Sequence, residues 1–228
     1  MAFSASTYHS KIFRDFKAID AGEHRRIIRF YEAYESSIRE LDFPEYFDLL
    51  VAYTNALFEV GAYQKHLLMA DVVIETSIEY NISDFQGKDI YYQTLFRKAA
   101  ALYNLRAFHQ AEYILKELIR IEPYNEDAIL FLKKCLRKIE PPFINTCRAI
   151  AIFMLLMAAL IIGVEVLFIR PFYKIYVPGV ETARNSIFFL SCLVILGGFG
   201  WHYFKVQSYV NRFVVMTRDQ KLTHGSSK

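Results

Sequence analysis

Ala149 to Ile169 (AIAIFMLLMAALIIGVEVLFI) is a run of 21 residues with a single charge. It is apolar on every side and long enough to cross the hydrocarbon of a bilayer as a helix. A second run, Ile187 to Phe204 (IFFLSCLVILGGFGWHYF), stands near the lower length limit. Trp201, Tyr203, Phe172, Tyr173 and Tyr176 fall at the run ends, where amphipathic rings prefer the interface. The two runs predict a transmembrane hairpin with spans at 149–169 and 187–204 and a short extracytoplasmic loop at 170–186. A basic cytoplasmic tail follows at 205–228. Val206, Tyr209, Val210, Phe213 and Val214 keep helical spacing in that tail, so it either extends the second helix or lies along the inner interface.

Charge divides the chain in the same place. Residues 1–132 hold 14 Lys/Arg and 20 Asp/Glu, a net −6, while residues 133–228 hold 13 and 4, a net +9. An acidic head is the wrong surface for a phosphate backbone, so nucleic acid is not an expected partner. The basic half is also the apolar half, which points to a lipid bilayer. Lys133, Lys134, Arg137, Lys138 and Arg148 precede the first span, and Lys205, Arg212, Arg218, Lys221 and Lys228 follow the second. Only Arg170, Lys174 and Arg184 lie between the spans. By the positive-inside rule both termini face the cytoplasm. Lys11, Arg14, Asp15 and Lys17 interrupt the N-terminal segment, which is expected to be an amphipathic helix and not an export signal.

The first 140 residues read as a series of helices. Ile12, Phe13, Phe16 and Ile19 recur at helical spacing, and a longer helix is expected from about Glu23 to Leu41, broken by Asp42-Phe43-Pro44. Two helix pairs follow: Glu45 to Leu57 with Tyr63 to Glu79, and Ile90 to Leu105 with Phe108 to Ile121. Gly61 turns the first pair, and Asn81 to Asp89 is a polar break between pairs. A last helix runs from Glu126 to about Ile139, and Glu140-Pro141-Pro142 bounds the domain. Residues 141–148 form a linker.

The pairs echo one another at 45 residues. Ala56-Leu57-Phe58-Glu59-Val60-Gly61-Ala62-Tyr63-Gln64-Lys65 lies over Ala101-Leu102-Tyr103-Asn104-Leu105-Arg106-Ala107-Phe108-His109-Gln110. Self-similarity at a fixed period marks stacked units, because one helix pair alone cannot bury its apolar face. Leu95, Ala99, Leu102, Ala111, Leu115 and Pro123 resemble the tetratricopeptide repeat, with Lys98 where that pattern prefers Leu. Leu50, Leu57, Gly61 and Tyr63 fit in the earlier copy, where His66 replaces a small residue and Ile78 the closing Pro. The resemblance implies an all-α fold: a tetratricopeptide-like helix–turn–helix array over 1–140, then the two-helix hairpin. It also implies a concave groove holding a partner peptide or helix, lined by Val51, Asn55, Phe58 and Glu59 and by Phe96, Ala100, Tyr103 and Asn104. The family's carboxylate clamp needs a Lys where this chain has Val51, so an apolar groove is the expectation.

Candidates for chemistry are few. Glu165 is an ionisable group inside a span, a costly placement that often signals function. Its expected role is structural, reaching the outer headgroups or pairing with Arg170. The Gly197-Gly198-Phe199-Gly200 cluster is expected to let the second span approach the first closely. No two histidines stand four apart, no serine sits in a nucleophile elbow, and Cys135, Cys147 and Cys192 have neither metal nor redox spacing. Asp71, Glu75 and Glu79 read as a solvated face. No catalytic site, cofactor or metal is expected. The sequence predicts a membrane-anchored docking or assembly factor. The reading from another class is a small membrane effector whose hairpin oligomerises or perturbs the bilayer, with the helical domain as sensor.

Overall fold

The computed structural model describes residues 10–85 and 87–225, which are mostly helical, with short connections and one two-stranded ribbon. Residues 1–9 and 226–228, the ends of the expected domain and tail with His9 and Lys228, lie outside the described residues. The chain forms two compact units, Met1–Cys135 and Leu136–Lys228.

In the first unit, α1 (Lys11–Lys17) is capped by the Ser10 hydroxyl, which accepts from the Phe13 N–H at 3.1 Å. The expected helix over 23–41 is two helices, α2 (His24–Ala33) and α3 (Glu35–Arg39). Tyr34 leaves helical geometry between them (φ −114°, ψ 18°). Ser36 and Ser37 just beyond it favour local hydrogen bonds over an unbroken helix. Helix α4 (Phe43–Glu59) takes Pro44 into its first turn, where a missing N–H costs nothing.

Helices α4, α5 (Tyr63–Glu79), α6 (Ile90–Asn104) and α7 (Phe108–Ile121) pack each on the next, and α2 lies on α4. The core fills between them with Ile38, Phe47, Leu49, Leu50 and Leu57, and with Tyr31 stacked on Tyr53 at 4.1 Å. The two interhelical turns share one construction. Gly61 (φ 79°) and Arg106 (φ 61°) are both left-handed. The next amide reaches back five residues in each, Ala62 N–H to Leu57 O and Ala107 N–H to Leu102 O, both at 2.9 Å. The 45-residue echo in sequence is thus an echo in backbone.

The polar break between pairs contains a ribbon that its composition concealed: β1 (Asp84–Phe85) pairs antiparallel with β2 (Lys88–Asp89) around Gly87 (φ 75°). Phe85 meets Phe47 edge-on at 5.2 Å, and Asp89 caps α6 by accepting from Tyr92 N–H at 2.9 Å. Lys98, where the repeat pattern prefers Leu, forms an ion pair with Asp71 of α5. Helix α8 (Glu126–Lys138) begins on an Asn125 cap. It sets Phe131 against the rings of Phe96 and Tyr103.

In the second unit, α9 (Pro142–Val164) starts seven residues before the apolar run. It passes into a π-turn over Glu165–Ile169 and then α10 (Arg170–Phe172). Tyr173 leaves the helix, a 3₁₀ turn covers Lys174–Tyr176, and α11 runs 49 residues over Val177–Gly225. At 1.5 Å per residue α11 is roughly 74 Å long. The expected loop at 170–186 is therefore helical for most of its length, because Pro178 suits a helix start and nothing after it breaks the helix. The expected tail continues the same helix. Both apolar helices are long enough to cross a membrane, and only 11 % of the most apolar stretch of each is buried. Helices α9 and α11 pack on each other, with Gly198 of α11 against Cys147 of α9. A Cβ at Gly198 would stand 3.2 Å from both Cβ and Sγ of Cys147.

Candidate functional site

Helix α6 presents Gln93 and Arg97, one turn apart, to two clefts. One of about 240 Å³ is walled by Val51 and Asn55 of α4 together with Phe85 and Ile90. The other, about 410 Å³, is walled by Tyr92 and Phe96, by Glu122 and Asn125 in the α7–α8 connection, and by Asp127 in the first turn of α8.

The eight residues expected to line one groove are distributed over this surface. Val51 is buried and Asn55 half-buried, both in the smaller cleft. Phe96 lines the larger one, and its ring also meets Phe131 at 5.6 Å. Tyr103 lies between Phe131 and Phe108 with the Lys134 ammonium over its face, and Ala100 is half-buried nearby on the same helix. Phe58 packs on Tyr63 and His66. Glu59 is exposed and walls a third, arginine-lined cleft with Arg25, Arg26 and Arg29. Asn104 is exposed at the end of α6. The structure therefore brings Val51, Asn55 and Phe96 to the two faces of α6 and engages Phe58 and Tyr103 in internal packing.

Gln93, Arg97, Tyr92, Glu122 and Asp127 were not among the expected residues. Their one signal in sequence is the i, i+4 placement of Gln93 and Arg97 on a helix already judged to line a groove. The contribution of Glu122 and Asp127 depends on how the α7–α8 connection folds back.

His66 is fully buried and takes the place of the small residue in the motif. Its Nδ1 lies 2.9 Å from Thr54 O, which fixes the ring proton on Nδ1 as donor. Nε2 is buried without a partner among the described residues. Burial holds the His66 pKa below the ordinary histidine value, more strongly than the Thr54 bond raises it, and Arg97 adds to the lowering. The ring is neutral and structural. Cys135 is likewise a core thiol, pushed up to about 11 by burial and then by Glu112, and it donates to Phe108 O at 3.3 Å.

Glu165 is fully buried in the second unit and holds two arginines. Arg170 donates to its Oε1 from Nε at 3.0 Å and from Nη2 at 2.8 Å. Arg184 Nη1 donates to Oε2 at 2.8 Å. Arg170 also reaches Glu181 at 3.1 Å, so two carboxylates and two guanidinium groups form one network. In a regular α-helix, residues five apart point roughly 140° away from each other. The π-turn brings Arg170 and Glu165 onto one side, with the Arg170 N–H bonded to Glu165 O. An i, i+5 charge pair inside an apolar run was the available signal for that insertion. Nothing local announced Arg184. At the other end of the hairpin Arg148 grips Glu140 with a two-pronged contact at 2.7 and 2.8 Å, which holds the exposed carboxyl below its usual range.

No protein-family model, curated protein or solved structure matches this chain. Its chemistry therefore rests on its own side chains. Among the described residues no three His, Cys, Asp or Glu side chains are grouped to hold a metal ion. The clefts of α6 offer paired hydrogen-bond donors and carboxylates on a helical framework.

Proposed function

We propose that this chain is a membrane-anchored docking or assembly factor, with a tetratricopeptide-like cytoplasmic domain on a transmembrane hairpin. One observation carries the reading. The Gln93–Arg97 edge of α6 faces two open clefts, so an extended segment lying across it meets Val51 and Asn55 on one side and Phe96 on the other. The left-handed turns at Gly61 and Arg106, with the same hydrogen-bond pattern, support a repeat unit of 45 residues. The exposed apolar surfaces of α9 and α11 support the anchor, and basic residues before α9 and along the far end of α11 support cytoplasmic termini.

The test is recovery of partners in mild detergent by the full-length chain and by a Gln93→Ala/Arg97→Glu variant, both changed residues being only partly buried. A protein recovered in stoichiometric amount by the native chain and lost with the variant supports docking at α6. Recovery of self-oligomers alone would overturn it and move the function to the hairpin.

The effector reading is favoured by one observation, the charged network around Glu165 within an apolar helix pair. Toxicity on overexpression, abolished by Glu165→Ala in a chain that still inserts, would favour it.

A further inference from the structure

Asn55 of α4 and Gln93 and Arg97 of α6 line the smaller cleft, and each is half-buried. Among the described residues none of the three has a hydrogen-bond or ion-pair partner. Amide and guanidinium N–H groups drawn partly out of water lose hydration, and here no described acceptor restores it.

The cleft's own carboxylate, Asp48, already pairs with the Lys17 ammonium at 2.5 Å. Lys17 and Arg97 against Asp48 leave one net positive charge there, in a domain that is otherwise acidic. Arg97 also borders the larger cleft, where neither Glu122 nor Asp127 comes within ion-pair distance of it. Both of those carboxylates are exposed, so solvent and salt screen them. The smaller cleft therefore gathers donors and an uncompensated cation, and lacks a free acceptor.

We propose that this cleft takes the carboxylate of an aspartate or glutamate side chain within an extended partner segment. Arg97 donates to it as a two-pronged fork, and the Asn55 and Gln93 amides donate to the lone pairs that remain. Val51 and Phe85 wall the cleft with apolar surface, where such a pair is screened less than in open water. The acid belongs to a side chain and not to a chain end, because the edge of α6 is open on both sides of Arg97. Residues beyond the acid pass over that edge to Phe96 in the larger cleft. The inference names the chemistry of the partner, and it rests on the docking reading for the segment but not for the carboxylate.

The test uses the full-length chain in detergent, labelled with ¹³C at arginine Cζ, with the Arg97 signal assigned by its loss in Arg97→Lys. The probes are acetylated pentapeptides: glycines around a central glutamate with an amidated end, the same peptide with glutamine, and pentaglycine with a free carboxylate end. The expected result is a saturable Arg97 shift with the glutamate peptide, weakened by added salt, and none with the glutamine peptide. The free-ended peptide binds more weakly than the glutamate peptide. Asn55→Ala and Gln93→Ala each weaken glutamate binding about threefold, the share of one hydrogen bond. Equal shifts with glutamine, a free end that binds as tightly as the side chain, or no shift up to roughly 50 mM would overturn the proposal. So would a salt-independent shift, or unchanged affinity in both folded variants. If a variant melts early, the peptide and salt comparisons on the native chain decide alone. The probes carry no other side chains, so their failure leaves the docking reading to the partner-recovery experiment, and failure there leaves the carboxylate site to this one.

Discussion

Arg184 donates through Nη1 to Oε2 of Glu165 at 2.8 Å, joining a residue of α11 to the π-turn that ends α9. The carboxylate is fully buried and the Arg184 side chain is 24 % exposed, so the bond has little competition from solvent. Removing one partner of such a pair leaves the other charge uncompensated, which is worse than removing both. Glu165→Ala is expected to destabilise the hairpin by about 3 kcal/mol, read as a lower midpoint in detergent-induced unfolding. Glu165→Ala/Arg184→Ala should recover part of that loss. A single variant as stable as the native chain would show that the pair contributes nothing.

The contact between Gly198 and Cys147 predicts a cross-link. A Cβ at position 198 stands 3.2 Å from the Cys147 Cβ, slightly inside the distance a disulfide needs. Gly198→Cys should therefore join α11 to α9 under mild oxidation after a shift of a few tenths of an ångström, seen as faster migration on non-reducing gels. Leu196→Cys, at an exposed position, should not cross-link. Gly198→Leu should force the helices apart and cost about 1–3 kcal/mol, as overpacking does.

His66 makes the helical unit sensitive to acid. Its folded pKa is lowered, so the unfolded chain binds more protons between the folded value and the ordinary one near 6.5. Stability is full above about pH 6.5 and falls as pH drops through that window. Denaturant midpoints followed by near-ultraviolet tyrosine dichroism should decline from pH 7 to pH 5. His66→Leu should flatten that part of the profile, and an equally steep decline in the variant would assign it to other groups.

Arg106 holds a left-handed backbone that favours glycine, at the position equivalent to Gly61. Arg106→Gly is expected to stabilise the α6–α7 pair by roughly 0.5–1 kcal/mol. Gly61→Ala should destabilise the α4–α5 pair by about 1 kcal/mol. Thermal melts of both variants check the signs. A destabilising Arg106→Gly would show that the guanidinium stem contributes more to the turn than the backbone strain costs.

Composition and periodicity alone were enough to read the helical class, two apolar helices and the 45-residue echo. These are local properties: apolar length, residues three and four apart, and turn signals such as Gly61 each act within one or two turns of chain. The positions of the groove residues were less legible. Phe58, Phe96 and Tyr103 have the composition of a binding surface, yet His66 and Phe131 pack on Phe58 and Tyr103 from 8 and 28 residues away in sequence, while Phe96 meets Phe131 and still lines a cleft. Which aromatic is covered depends on how α8 folds back, and no single-helix pattern encodes that. The expected helix over 23–41 failed at Tyr34 for the opposite reason, a local break too subtle for apolar spacing to register.

By itself the sequence determined that the chain is mostly helical and which two segments are apolar enough for lipid, because those follow from the chemistry of neighbouring residues, while the expected linker at 141–148 and loop at 170–186 are largely helical. Tertiary structure alone decided that Arg184 completes the Glu165 network and that Glu122 and Asp127 stand across from Tyr92. It likewise decided that Gly198 is the point where α11 meets Cys147. Each of these joins residues 19 to 51 positions apart. Such a meeting is set by the packing of whole helices, and pairs so far apart leave no periodic trace in the chain.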